Sequence, residues 1–172
     1  DSQGSFMATI LQGTIYLRCG ETKEVRVVNQ HYPADASARN NFCSVKFFPR
    51  GGDSKTTNPS SLLVGTTRGS VQLWDTEDCK LSMELERPFA NHSVCVIEKC
   101  PTDAYLFCSG GANGLLGFHE VREHISHYNM LVDHKSTVFG LAWSTNGRYV
   151  DSGGNDDCLF VYDVRKTSMS IY

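Results

Sequence analysis

Residues 118–127, FHEVREHISH, set His119, His124 and His127 beside Glu120 and Glu123. Neutral imidazoles and carboxylates are the ligands of a hydrolytic zinc site, where metal-bound water becomes a nucleophile near neutral pH. The spacing argues against that chemistry. In HEVREH the second histidine follows the first by five residues, whereas two ligands on one helical face require four. His119 also closes an alternating segment, GLLGFHE, and so belongs to a strand. No metal is expected.

Two other stretches carry chemical residue types. SGGANGLLG (109–117) has the glycine density of a phosphate-cradling loop. It lacks the following Lys-Ser/Thr, and a strand pattern succeeds it where a helix N-terminus should stand. Tight-turn glycine accounts for it. The seven cysteines (19, 43, 79, 95, 100, 108 and 158) form no CxxC pair and are odd in number. Most lie among apolar neighbours, as in NFCSV, SVCVI and YLFCSG. They read as small hydrophobes of a reduced protein, cytoplasmic or nuclear. No cysteine or serine has a partner base that residue order identifies, so no enzyme is expected.

The bulk numbers bound the class. The 172 residues are 40% hydrophobic and 20% charged, enough for one sizeable core. A net charge of −3 offers no basic surplus for a nucleic-acid backbone. The longest apolar runs, SLLVG and TVFGLAW, are strand-sized, so no membrane span is expected. The chain opens on Asp1 without a charged-then-apolar leader, and no secretory signal is expected.

The elements that hold these residues repeat. GTIYLRC (13–19), GSVQLWD (69–75), GLLGFHE (114–120) and DCLFVYD (157–163) each run from a turn residue through an alternating apolar stretch to a final polar position. Their fifth positions, Leu17, Leu73, Phe118 and Val161, lie 56, 45 and 43 residues apart. The long first interval holds RGGDSKTTNPSS (about 50–61), a surface insertion by composition. Without it the period is roughly 44, that of four-stranded propeller blades. Two strands precede each of the last three segments, separated by PR…SS, PTD and TNG. A further outer strand follows each segment: EVRVVNQ, LSMELER, SHYNMLV and SMSIY. Only EVREHISHYNM (120–130) carries a weak helical period. The expectation is an all-β chain of one domain, with blade units at about 1–31, 41–87, 92–132 and 134–172.

DHKSTVFGLAWSTNGRYVDSGGNDDCLFVYD resembles a WD repeat. By that resemblance His134, Ser152, Asp156 and Tyr162 form the buried polar tetrad of one blade, Tyr162 standing where Trp is usual. Buried His and Asp are tolerable only when each satisfies the other. Arg18 and His119 depart from the aromatic position, which Trp74 keeps. VGTTRGSVQLWD, SGGANGLLGFHEVR and GLAWSTNGRYVDSGGND together resemble three successive blades of the Fizzy family, and ATILQGTIYLRC fits that family's opening blade.

The resemblance implies a WD-repeat β-propeller, about four blades of a seven-bladed whole. It implies a substrate-recognising coactivator of the anaphase-promoting complex, a ubiquitin ligase, and binding of degron-bearing cell-cycle proteins. Asn155 matches the family position that reads the KEN motif (Lys-Glu-Asn) on the top face, and Tyr16 matches a second position there. A carboxamide suits this task because it donates and accepts at once. Turn chemistry is the competing account of Asn155. The destruction-box groove, the C-box and the Ile-Arg tail of the family have no counterpart in these residues, and Asp151 sits where a small apolar residue is common. The alternative is a WD-repeat scaffold without degron recognition. Four blades leave an apolar face open at each end. Faces above ~400 Å² would forgo about 10 kcal/mol of burial, so the expectation is a larger propeller, an unusual closure or an oligomer.

Overall fold

Residues 6–11, 14–19, 24–28, 41–48, 61–85, 88–122 and 125–167 are described by a computed structural model. Their fourteen strands form four antiparallel meanders in chain order. The first sheet is β1 (Phe6–Leu11), β2 (Thr14–Cys19) and β3 (Val25–Val28). The second is β4 (Phe42–Phe48), β5 (Ser61–Thr66), β6 (Val71–Asp75) and β7 (Leu81–Leu85). The third is β8 (Val94–Lys99), β9 (Leu106–Gly111), β10 (Leu116–Arg122) and β11 (Ile125–Leu131). The fourth is β12 (Val138–Trp143), β13 (Tyr149–Gly154) and β14 (Leu159–Asp163), followed by a one-turn helix α1 (Val164–Thr167). Each sheet packs face to face on the next, as blades of a partial WD-repeat propeller.

β4, β8 and β12 are equivalent inner strands. Each touches the next inner strand, and each opens with a bulge, at Cys43, Cys95 and Phe139. β1 packs on β4 as β5 packs on β8 and β9 on β12, so it is a second strand of its blade. The first sheet thus shows the outer three strands of a blade and the fourth the inner three. The expected outer strand SMSIY and the insertion at 50–60 lie outside the described residues; Ser61 is already buried in β5.

Three apolar cores fill the sheet interfaces. Ile15, Leu17, Leu62, Val64 and Trp74 join the first two sheets, Leu63, Val94, Ile97 and Phe107 the second and third, and Cys108, Phe118, Val150 and Tyr162 the last two. β5 is buried on both faces, which explains its unbroken run SLLVG. β14 alternates because only one of its faces is covered.

The weak helical period at 120–130 corresponds to a hairpin. β10 and β11 pair through Glu120↔His127 and Arg122↔Ile125, closing in two residues. Cross-strand pairing overrides a periodicity too short to nucleate a helix.

Candidate functional site

The fourth blade carries a polar chain through its turns. His134 Nδ1 lies 3.0 and 3.2 Å from the Asp156 carboxylate oxygens, and His134 Nε2 lies 2.7 Å from Ser152 Oγ. With a carboxylate at Nδ1, that nitrogen holds the proton and Nε2 accepts from the serine hydroxyl. Asp156 also accepts from the main-chain N–H of Lys135 at 2.8 Å and of Cys158 at 3.3 Å. The Lys135 N–H, then His134, then Cys158 hold its carboxyl at about 2, against a smaller opposing effect of burial. One side chain therefore ties the turn before β12 to the turn between β13 and β14.

Tyr162 does not close the chain. Burial pushes its phenol up to about 12, and although Ser152 is near, its oxygen makes no hydrogen bond of regular geometry among the described residues. Its ring packs edge-on against Phe118, with centroids 6.1 Å apart. An indole N–H projects from the side of its ring and a phenol oxygen from the tip, so tyrosine fills tryptophan's volume without delivering its donor to the same place. Trp74 Nε1 does donate, to Gln72 Oε1 at 3.0 Å.

His119 occupies the position of Tyr162 in the third blade, and its ring is fully buried. Its Nε2 lies 2.6 Å from the Ser109 hydroxyl, and Phe107 stacks on it at 4.7 Å. Burial lowers its pKa to about 3, so it is neutral. The histidine cluster is therefore divided: His119 is committed inside the blade, Glu123 and His124 lie outside the described residues, and His127 sits in β11. Among the described residues no three His, Cys, Asp or Glu groups are placed to hold a metal. The Ser109–His119 tie was missed in the sequence; superposing SGG of residues 109–111 on SGG of residues 152–154 would have found it. SGGANGLLG forms the β9–β10 hairpin with Gly114 at φ +80°, followed by a strand.

The six described cysteines are free thiols. Burial pushes Cys43 up to about 12 and raises Cys79, Cys95 and Cys108. None of these four is a ready thiolate nucleophile.

Asn155 begins the turn between β13 and β14. Its main-chain N–H donates to Thr137 O at 2.8 Å, paralleling Ala112 N to Ser93 O and Thr67 N to Asn41 O in the preceding blades. Its side chain is exposed, and its carboxamide makes no hydrogen bond among the described residues. The left-handed residue of this turn is Asp157, at φ +57°, where the earlier blades place Gly69 and Gly114. The turn's conformation therefore does not require asparagine at position 155.

Tyr16 is 37% exposed on β2, paired with Thr9 and Val27. Its chain neighbours Ile15 and Leu17 face the second sheet, so the Tyr16 ring lies on the opposite, uncovered side. Two sheets intervene between Tyr16 and Asn155.

No protein-family profile matches the chain. It is 31% identical over 161 residues to the WD repeat-containing protein srw1 of Schizosaccharomyces pombe, covering 94% of this chain and 26% of that protein. It is 33% identical over 133 residues to the protein FIZZY-RELATED 2 of Arabidopsis thaliana, covering 77% and 25%. The anaphase-promoting complex subunit cdh1 of Dictyostelium discoideum is 29% identical over 163 residues, covering 94% and 19%. Among solved structures, a chain of the mitotic checkpoint complex superposes with a TM-score of 0.75 at 25% identity, covering 94% of this chain and 44% of that one. The chain thus spans about a quarter of the length of these curated relatives. Relatives of one kind match nearly its whole length, on a shared propeller fold; the chain belongs to the Fizzy family of WD-repeat proteins as a divergent member.

Proposed function

We propose that this chain is part of a non-enzymatic recognition propeller that presents degron-bearing cell-cycle proteins to the anaphase-promoting complex, in the cytoplasm and nucleus. The observation that carries the reading is Asn155: an exposed carboxamide held by its own main-chain hydrogen bond, at a turn position whose geometry does not need it. The names of the relatives, Fizzy-related proteins and a subunit of that complex, support the same reading.

The propeller performs no bond chemistry. It raises the local concentration of substrate beside a ligase. Asn155 would accept from and donate to the motif's own amide, while the Asp156 anchor keeps the turn from moving. Tyr16 is proposed as a second contact at the first blade.

Fluorescence polarisation with a labelled Lys-Glu-Asn peptide tests this. Asn155→Ala should weaken binding by about 1–3 kcal/mol, roughly 10- to 100-fold. Unchanged affinity in a folded variant would leave the scaffold reading in its place.

A further inference from the structure

The first and fourth sheets each leave one face uncovered, and the two faces are complementary. On the fourth sheet, Phe139, Leu159 and Val161 are 63%, 70% and 61% exposed. Asp151 stands among them, paired across the strands with Ala142 and Val161. On the first sheet, Met7, Leu11, Val25 and Val27 are 62%, 59%, 53% and 46% exposed. Arg18 stands among these, paired with Met7 and Val25. Each apolar face thus carries one exposed central charge, of opposite sign, and neither charge has an ion-pair partner among the described residues.

The repeat itself says where these two positions go. Ala8, Leu63, Cys108 and Asp151 are equivalent, each paired with the fifth-position residues Leu17, Leu73, Phe118 and Val161. Arg18, Trp74, His119 and Tyr162 follow those residues and are equivalent in turn. Across the first interface Ala8 and Trp74 share a core, and across the third Cys108 and Tyr162 do. Across the second, Leu63 shares a core with Phe107, on which His119 stacks. Wherever two sheets pack, the first position meets the second. A first sheet laid on an open fourth sheet by the same rule brings Arg18 to Asp151.

The glycines agree. A Cβ on Gly65 would lie 2.8 Å from Val94, and one on Gly110 would lie 2.6 Å from Val138. At the equivalent Gly153, and at Gly140 beside it, nothing lies within 4 Å. The fourth sheet keeps the close-approach glycine of a covered blade.

We propose that the occupant of the open fourth sheet is the first sheet of a second copy of this chain, so that two copies close head to tail through two Arg18–Asp151 junctions. Eight sheets lie within the range of closed propellers, and a two-fold axis satisfies both junctions at once. A purely apolar sheet would strand either charge without a partner, which these two faces avoid in each other.

Sedimentation equilibrium of the 172-residue chain is expected to give twice the mass of one chain at micromolar concentration. Asp151→Arg alone, or Arg18→Glu alone, should raise the dissociation constant at least ~100-fold by opposing like charges. Mixing the two variants should restore the dimer. One junction of the mixed pair keeps its original charges, and the other carries the same two charges exchanged between the facing sheets. A monomer at ~1 mM, single variants that dimerise like the parent, or a mixture that stays monomeric despite native circular dichroism would overturn the proposal. So would a longer polypeptide whose own blades cover both faces.

Discussion

Val138, the first residue of β12, presses so closely on Gly110 of β9 that a Cβ on the glycine would lie 2.6 Å from Val138 Cγ1. Gly110→Ala must push two blades apart or strain a buried valine, and should lower stability by about 1–3 kcal/mol. Gly153→Ala, with open space before it, should leave the stability of one copy within about 0.5 kcal/mol. Urea denaturation of both variants, under conditions that keep the chain monomeric, checks the contrast.

His119 gives the fold an acid sensitivity. The unfolded imidazole takes a proton near 6.5, while the buried one resists until about 3, so the unfolded state binds more protons between those values. Stability is then fully present above pH 6.5 and declines as pH falls, by about 1.4 kcal/mol per pH unit from this group. His119→Phe should remove that slope, while costing about 1–2 kcal/mol at neutral pH by stranding the Ser109 hydroxyl. Denaturation midpoints from about pH 7 to about pH 4 would show both effects.

Asp156 adds a second, lower window. Its folded carboxyl sits at about 2 against an ordinary 3.8, so its contribution is present above about pH 4 and is lost as pH drops towards 2. Asp156→Asn should flatten that window and loosen the turn that positions Asn155. Amide hydrogen exchange at Lys135 and Cys158, its two main-chain donors, should accelerate.

Asp157 holds at φ +57° a place that Gly69 and Gly114 fill in the preceding blades. Relief of the left-handed penalty outweighs the added freedom of the unfolded chain, so Asp157→Gly should raise stability by about 0.5–1 kcal/mol. Thermal unfolding at neutral pH measures it.

The strands and their turns were legible because a half-buried strand alternates and a hairpin needs particular residues. β14 shows this directly, and the stacked segments ending at Cys19, Asp75, Glu120 and Asp163 are where third strands of the blades end or nearly end. β5 reads as an unbroken apolar run because its two faces meet two different sheets. The polar ties were half legible. His134, Ser152 and Asp156 stand at familiar spacing and meet in space, whereas Tyr162 supplies a ring where a donor was expected. His119 resembles a ligand in sequence because spacing cannot show that its ring points into a core. The side of the sheet on which Tyr16 lies depends on register, which follows from the pairing Thr9↔Tyr16↔Val27 and not from composition. Asn155 was legible as a candidate, but that Asp157 takes the left-handed conformation in its place required the backbone.

The most direct measurement is to titrate a Lys-Glu-Asn peptide into isotopically labelled chain and follow the side-chain amide resonances of Asn155 by NMR. Saturable shifts of those two protons are predicted, with a triple-alanine peptide giving none and Asn155→Ala abolishing the shifts of the neighbouring turn. Peptide-independent resonances at Asn155, with Asp156 and Thr137 equally silent, would contradict degron reading at this turn.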